Sequence, residues 1–173
     1  MELIAKLQDN EYEYKGITHT RSIARAILLN EKNEVCLLKV YGDDDFGHRD
    51  YYETPGGGIN PNEDYFNAVI REINEETGIN AEVIAEIGLV DDYYNAIYRH
   101  NLNYYYLLRV ISYGEPHLEE DEKKIITSSI FVTIDEAINL YEKMTDTKIA
   151  RLVKNRELPV LLKAKKMIEE FGG

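Results

Sequence analysis

The chain has 173 residues, a formal net charge of −12 at pH 7, 44% hydrophobic residues and 30% charged residues. This length predicts one domain with a sizeable core, and the composition is ordinary for a globular protein. The acidic balance argues against a nucleic-acid polymer as partner, because surfaces that bind one carry clustered lysine and arginine. With one cysteine, Cys36, the chain has no intrachain disulfide and no cysteine zinc site.

The sequence shows no pattern typical of a signal peptide or of a membrane helix. The first ten residues contain no basic region followed by an apolar stretch, so no signal peptide is expected. No run approaches the roughly 18 apolar residues that a membrane helix needs. We therefore expect a cytoplasmic protein without a membrane partner.

The first third of the chain predicts an arm followed by a hairpin. Residues 1–18 are polar and mixed, and predict an N-terminal arm or an edge strand. Residues 20–29 predict a strand with an apolar side chain on each face, and residues 34–41 predict a second strand. The polar residues 30–33 between them predict the turn of a hairpin.

Two arginines fall on the first predicted strand. Arg21 and Arg25 share a face with Ile23, because side chains alternate along a strand. A charged group among apolar neighbours needs a partner. Two partners are open for Arg25: a substrate phosphate or a structural carboxylate.

The other elements alternate between strands and helices. They are, in chain order, a polar loop (42–50), a short strand (51–54), a glycine turn and helix (55–78), a strand with a bulge near Gly88 (81–94), a loop (95–103), a strand (104–113), a second polar loop (114–124), a strand (125–132), a helix (134 to about 143) capped by Thr133 and Glu136, and a helical C-terminal segment (144–173) with Pro159 near the first turn of its last helix. This order predicts a mixed α/β fold in a single domain over residues 1–173.

The glycine turn and helix organise the rest of the chain. Asn62 is predicted as the N-cap and Gly78 as the C-cap of the helix. Four apolar residues at helical spacing predict its core stripe: Phe66, Val69, Ile70 and Ile73.

Three acids lie together on the flank of that stripe. At about 100° per residue, Glu72, Glu75 and Glu76 are neighbours, and Arg71 is four residues before Glu75. Like charges so placed destabilise an isolated helix by about 0.2–0.5 kcal/mol per pair. A hard divalent cation, which prefers oxygen ligands, would reverse that effect. The alternative for three acids alone is a solvated acidic helix face.

The spacing of these residues resembles the signature of the Nudix hydrolase family. Its fixed positions are Gly57, Glu63, Arg71, Glu72, Ile73, Glu75, Glu76, Gly78 and Ile79. The resemblance implies an α/β/α sandwich with a mixed β-sheet. It also implies an Mg²⁺- or Mn²⁺-dependent enzyme that hydrolyses a pyrophosphate linkage in a nucleoside diphosphate joined to another group. A nucleotide-sensing binding module without turnover is the alternative.

The same resemblance implies roles for individual residues. Glu72, Glu75 and Glu76 would bind the metal together with the Gly56 carbonyl, while Arg71 would hold a carboxylate in place. Glu72 could instead be the general base. The family often takes a further acid, frequently that base, from a downstream loop, and the alternative for those acids is a solvated loop. The candidates here are Glu119, Glu120, Asp121 and Glu122.

The tyrosines bear on the substrate and on assembly. Aromatic side chains stack on nucleobases, and among the 14 tyrosines Tyr93, Tyr94 and Tyr98 are the loop candidates. The alternative is packing within the sheet or in an interface. By analogy with the family, the tyrosine-rich strands are a candidate homodimer interface. The markers of several Nudix subfamilies are absent, so the particular nucleotide stays open.

Overall fold

The computed structural model describes residues 1–44 and 46–171. Within them the strands are β1 (Leu3–Lys6), β2 (His19–Leu29), β3 (Val35–Asp44), β4 (Gly47–Glu53), β5 (Gly56–Gly58), β6 (Asn80–Tyr94), β7 (Arg99–Ser112) and β8 (Ile126–Val132). The α-helices are α1 (Tyr65–Thr77), α2 (Glu120–Lys123), α3 (Ile134–Glu142) and α4 (Lys148–Phe171). No helix in the described part of the chain combines the length and the apolar character needed to cross a membrane.

The strands form one mixed sheet in the order β1-β6-β7-β2-β3-β4. The pairs β1–β6 and β2–β7 are parallel, and the remaining pairs are antiparallel. Strands β2 and β3 meet at one residue pair, Leu29 with Val35. Beyond that pair, β5 runs beside β2 and β4 runs beside β3, while β8 pairs with β3. The turn between β4 and β5 therefore lies where β2 and β3 separate, which positions the site described below.

Apolar cores cover both faces of the sheet. On one face, Ala68, Val69 and Ile73 of α1 pack in one cluster with Ala24 and Leu28 of β2. On the other face, the apolar side chains of α3 and α4 share a cluster with the alternate residues of β2. The result is the α/β/α sandwich with a mixed sheet that the sequence predicts.

Helix α1 begins two residues later than predicted. Its N-cap is Asp64, whose carboxylate accepts the Asn67 N–H at 3.1 Å, while Asn62 has a positive φ of 64°. The reason is a turn that precedes the helix, in which the Glu63 N–H bonds to the Asn60 carbonyl. Phe66, predicted in the core stripe, is 46% exposed and packs edge-on against the Tyr106 ring.

Four other boundaries differ because cross-strand or tertiary partners stabilise regular structure. Most of the polar loop predicted over 42–50 belongs to β3 and β4, where Arg49 pairs with Asp44 at 2.6 Å. Most of the loop predicted over 95–103 belongs to β7, and the second polar loop contains α2. Pro159 lies inside α4 rather than near the start of a helix, and the buried residues on both sides of it anchor the helix to the sheet.

Candidate active site

The glycine turn and α1 are in direct contact. The Gly56 N–H donates to Glu76 Oε1 at 2.6 Å. A Cβ atom on Gly57 would lie 2.4 Å from a carboxylate oxygen of Glu72, so no larger residue fits there without displacing that side chain. The turn thus fixes two helix carboxylates at the point where β2 and β3 separate.

Three carboxylates converge at this point. One oxygen each of Glu72, Glu76 and Glu122 lies within 4.8 Å of the others. Glu72 and Glu76 are only 8% and 7% exposed. Burial, together with the charge of Glu122, raises the pKa of Glu76 well above its ordinary value. Burial also raises the pKa of Glu72, although its bond to Arg71 opposes the shift.

This donor set fits a hard divalent cation. Three carboxylate oxygens so close repel one another, and burial increases the cost of ionising them. Mg²⁺ and Mn²⁺ accept such oxygen ligands, and a bound cation would favour the ionised form of all three groups. Glu72, Glu76 and Glu122 are therefore the residues that could hold a metal. The Gly56 carbonyl stays a predicted further ligand.

Arg71 fixes the acids around it. Its guanidinium makes a two-pronged contact with Glu63 at 2.8 and 2.9 Å, and also bonds to Glu72 at 2.9 Å and to the Gly58 carbonyl at 3.0 Å. The bond to Arg71 lowers the pKa of Glu63 to about 2. Glu75 also faces the cleft, but it lies 3.2 Å from Arg71 and outside the three-carboxylate cluster.

The downstream loop brings in one acid selectively. The His117 N–H donates to the Glu75 carbonyl at 2.6 Å, which ties the loop to α1. Glu119, Asp121 and Glu122 line the cleft, and Glu122 is the one that joins the cluster. Glu120 does not line the cleft, and instead pairs with Lys123 at 3.1 Å.

Arg25 has a structural carboxylate as its partner. It is buried and bonds to Glu53 at 2.8 Å and to the Thr54 carbonyl at 3.1 Å. Glu53 also bonds to Arg156 of α4 at 2.8 Å. Burial opposes ionisation of Glu53, but the surrounding arginines outweigh it and lower the pKa of that carboxyl. Of the two partners predicted for Arg25, the structure therefore shows the carboxylate.

The sequence did not single out Glu53, Arg156 or Glu157. Arg156 and Glu157 have no exposed surface. Glu157 accepts four hydrogen bonds, from the Thr54 N–H and hydroxyl and from the hydroxyls of Tyr105 and Tyr141. An arginine and a glutamate side by side among the apolar residues of a helix were the available signal, because buried charges need partners.

None of the three tyrosines predicted to stack on a base, Tyr93, Tyr94 and Tyr98, lines the cleft. Tyr94 is 6% exposed, and its hydroxyl bonds to Arg156 in the core. Tyr98 is exposed, but it caps a 3₁₀ turn (Asn95–Ile97) and is not among the residues that line the cleft. The prediction for Tyr94 is therefore wrong, because a buried tyrosine packs in the sheet rather than against a ligand.

The cleft has a volume of about 650 Å³, and two further arginines line it. Arg21 of β2 and Arg99 of β7 lie on the same face of neighbouring parallel strands, since His19 pairs with Arg99 and Arg21 with Asn101. The cleft thus contains these two arginines as well as the carboxylate cluster.

Comparisons with known proteins identify the family. The family model described as the NUDIX domain matches residues 19–154. A Bacillus subtilis (strain 168) protein, named as a candidate 8-oxo-dGTP diphosphatase, is 38% identical over 68 residues. That match covers 38% of this chain and 40% of the relative, so it spans less than half of either protein.

Solved structures share the fold. A NUDIX hydrolase from Nitrosomonas europaea is 18% identical with a TM-score of 0.60, over 79% of this chain and 86% of the other. A MutT NUDIX hydrolase from Burkholderia pseudomallei is 24% identical with a TM-score of 0.56, over 79% and 97%. Because the family model covers most of the chain and the nine signature positions are filled, this chain belongs to the NUDIX domain family.

Proposed function

We propose that this protein hydrolyses a pyrophosphate linkage in nucleotide-type small molecules, in which a nucleoside diphosphate is joined to another group, with Mg²⁺ or Mn²⁺ as cofactor. The observation that carries the proposal is the convergence of Glu72, Glu76 and Glu122 beside the glycine turn. A solvated acidic helix face would not need two of its three acids to be more than 90% buried.

The acids have separable roles in this proposal. Glu72, Glu76 and Glu122 would hold the metal, and Arg71 orients Glu72. The cation would neutralise phosphate charge and lower the pKa of an attacking water. Glu122 and Glu72 are the candidates for accepting the proton of that water, because both lie in the cluster and line the cleft. Glu75 instead contacts Arg71 at 3.2 Å and lies outside the cluster.

A first experiment is a hydrolysis screen with Mg²⁺ and Mn²⁺. It covers nucleoside triphosphates, 8-oxo-dGTP because of the Bacillus relative, nucleotide sugars, ADP-ribose and dinucleoside polyphosphates, with products separated by chromatography. We expect Glu76→Gln to abolish turnover. Glu120→Gln is the matched control, because Glu120 does not line the cleft, and it should keep the wild-type rate.

The outcomes separate the two functions that the sequence leaves open. Turnover that survives in Glu76→Gln would contradict the proposed site. No turnover with any compound, together with a nucleotide that raises the melting temperature, would favour the nucleotide-sensing module. The screen also identifies the class of substrate, because the fold alone does not define it.

The cellular location of the protein and its oligomeric state are also proposals. We propose a cytoplasmic location, which cell fractionation would test. Tyr105 and Tyr106 of β7 are buried beneath the helices of the same chain. A homodimer, if it forms, would therefore use another surface than the tyrosine-rich strand, and light scattering would measure it.

A further inference from the structure

Arg21 and Arg99 differ in charge pairing from five of the other six arginines of the chain. Of the eight arginines in the sequence, the ones that form ion pairs are Arg25, Arg49, Arg71, Arg151 and Arg156. Within residues 1–44 and 46–171, Arg21 and Arg99 have no carboxylate within ion-pair distance. Both nevertheless line the cleft of an acidic protein.

Both side chains are held in position. A Cβ atom on Gly58 would lie 2.4 Å from a guanidinium nitrogen of Arg21, so this guanidinium rests directly on the glycine turn. Arg99 Nε donates to the Asn101 side chain at 2.6 Å, and its guanidinium lies 5.4 Å from the centre of the Tyr94 ring. These contacts orient the two groups but do not neutralise their charge.

The positive charges of Arg21 and Arg99 repel each other. Burial, and next the positive charge of Arg21, lower the pKa of Arg99 to about 10. The charges of Arg25 and Arg156 also lower the pKa of Arg99. An anion bound between Arg21 and Arg99 would relieve this repulsion, and arginine is well suited to oxyanions because its donors match them in geometry.

The position of the pair relative to the carboxylates defines what it could bind. Gly56, which bonds to Glu76, lies opposite Arg25 on β2. Arg21 is four residues away along the same strand, a Cα distance of roughly 13 Å at about 3.3 Å per residue. The guanidinium of Arg21 extends back over Gly58, which shortens this separation. The pair therefore faces a part of the substrate beyond the linkage at the carboxylate cluster.

We propose that Arg21 and Arg99 form a second anion-binding subsite for a phosphate that lies beyond the hydrolysed pyrophosphate linkage. This inference rests on the proposed function and names its substrate class. The preferred substrates carry extra phosphate, as nucleoside triphosphates do. Nucleotide sugars, whose second group is neutral, would leave the two arginines without a partner and would bind more weakly.

The direct test is calorimetric binding of inorganic tripolyphosphate, without Mg²⁺, to the Glu76→Gln protein, in which turnover and metal binding are removed. Adding Arg21→Met or Arg99→Met should raise Kd about tenfold each, because each removes one charge-assisted contact. The control is Arg109→Met. Arg109 donates to the Asn30 carbonyl and the Asn33 side chain away from the cleft, and its replacement should leave Kd unchanged.

Two results would overturn the subsite: an unchanged Kd in both arginine variants, or no measurable binding by the parent protein. Arg21 is exposed, so its replacement should not impair folding. If Arg99→Met melts far below the parent, the Arg21→Met result alone decides.

A second measurement compares UTP with UDP-glucose in proteins that keep Glu76. Arg21→Met should raise KM for UTP about tenfold, and leave KM for UDP-glucose and kcat for both within about threefold. If Arg21→Met raises KM for UTP and for UDP-glucose equally, the result would contradict the subsite. A wild-type protein that hydrolyses no compound of the full screen would count against the proposed function, while the calorimetric result would still decide whether the subsite exists.

Discussion

The carboxylate of Glu157 in α4 accepts both the backbone N–H of Thr54, at 2.8 Å, and the Thr54 hydroxyl, at 2.5 Å. Thr54 is the residue between β4 and the glycine turn, so this contact attaches the turn to a helix on the far side of the sheet. Arg156, the neighbour of Glu157, donates to the carboxylate of Glu53 at 2.8 Å. The C-terminal helix thereby supports the segment from which the site is built.

We expect Glu157→Gln to destabilise the protein by about 3 kcal/mol, because an amide replaces one acceptor oxygen by a donor that faces groups already donating. Urea unfolding at pH 7 measures the change. Glu170→Gln is the control, since Glu170 is an exposed residue of the same helix. Equal stability of the two variants would show that the buried contacts of Glu157 do not hold the turn.

Metal binding should distinguish Glu76 from Glu75. At Mg²⁺ about 100-fold above Kd, a ligand that binds the folded state contributes about 2.7 kcal/mol. For a chain of this size we expect a rise of about 5–10 °C in wild-type Tm. Glu76→Gln should abolish that rise. Glu75→Gln should retain most of it, because Glu75 bonds to Arg71 outside the cluster.

Two observations would contradict this assignment. A Glu76→Gln protein that Mg²⁺ still stabilises fully would remove Glu76 from the metal site. If Glu75→Gln loses the whole Mg²⁺-induced rise in Tm, Glu75 would be a metal ligand, as the signature implies. Differential scanning fluorimetry with a chelator-treated reference measures both variants.

The sequence predicted the parts of the site that are local. Arg71, Glu72 and Glu76 lie within six positions on one helix, so their spacing alone places them together. The contact between Thr54 and Glu157, which attaches the glycine turn to α4, could not be predicted in this way. Thr54 and Glu157 are 103 positions apart, and nothing short of the folded topology brings them into contact.

The predictions that the structure corrects fail for the same reason, because they depend on contacts between residues that are far apart in the sequence. The sequence predicts Tyr94, at the end of its strand, as a candidate for stacking on a base, but α4 covers that position and the ring is buried. The choice among the downstream acids depends on α2, whose four residues turn Glu122 towards α1 and leave Glu120 outside the cleft. A run of consecutive acids contains no signal that separates its members.

Glu122 and Glu120 provide the next prediction. If Glu122 accepts the proton from the attacking water, Glu122→Gln should lower kcat by about 10²–10⁴ at saturating Mg²⁺. If it only binds metal, raising the Mg²⁺ concentration should restore the rate. Glu120→Gln should match wild type under both conditions. Full activity of Glu122→Gln at low Mg²⁺ would exclude both roles.

The pairing of Glu63 with Arg71 predicts a specific dependence of stability on pH. The pKa of Glu63 is about 2 in the folded protein against an ordinary value of 4.5, chiefly because of its bonds to Arg71. A carboxyl whose pKa is depressed on folding stabilises the protein fully above its unfolded pKa. That contribution is lost as the pH falls from about 4.5 towards 2.

We therefore expect Glu63→Gln to lower the free energy of unfolding at pH 7, and the gap to wild type to narrow between pH 4.5 and pH 3. Urea unfolding at pH 7, 5, 4 and 3 gives this difference directly, and contributions from other carboxyls common to both proteins cancel in it. Glu170→Gln serves as reference. A gap that stays constant across this range would show that the stabilisation by Glu63 does not depend on its charge, and that its hydrogen bonds to Arg71 act equally well from an amide.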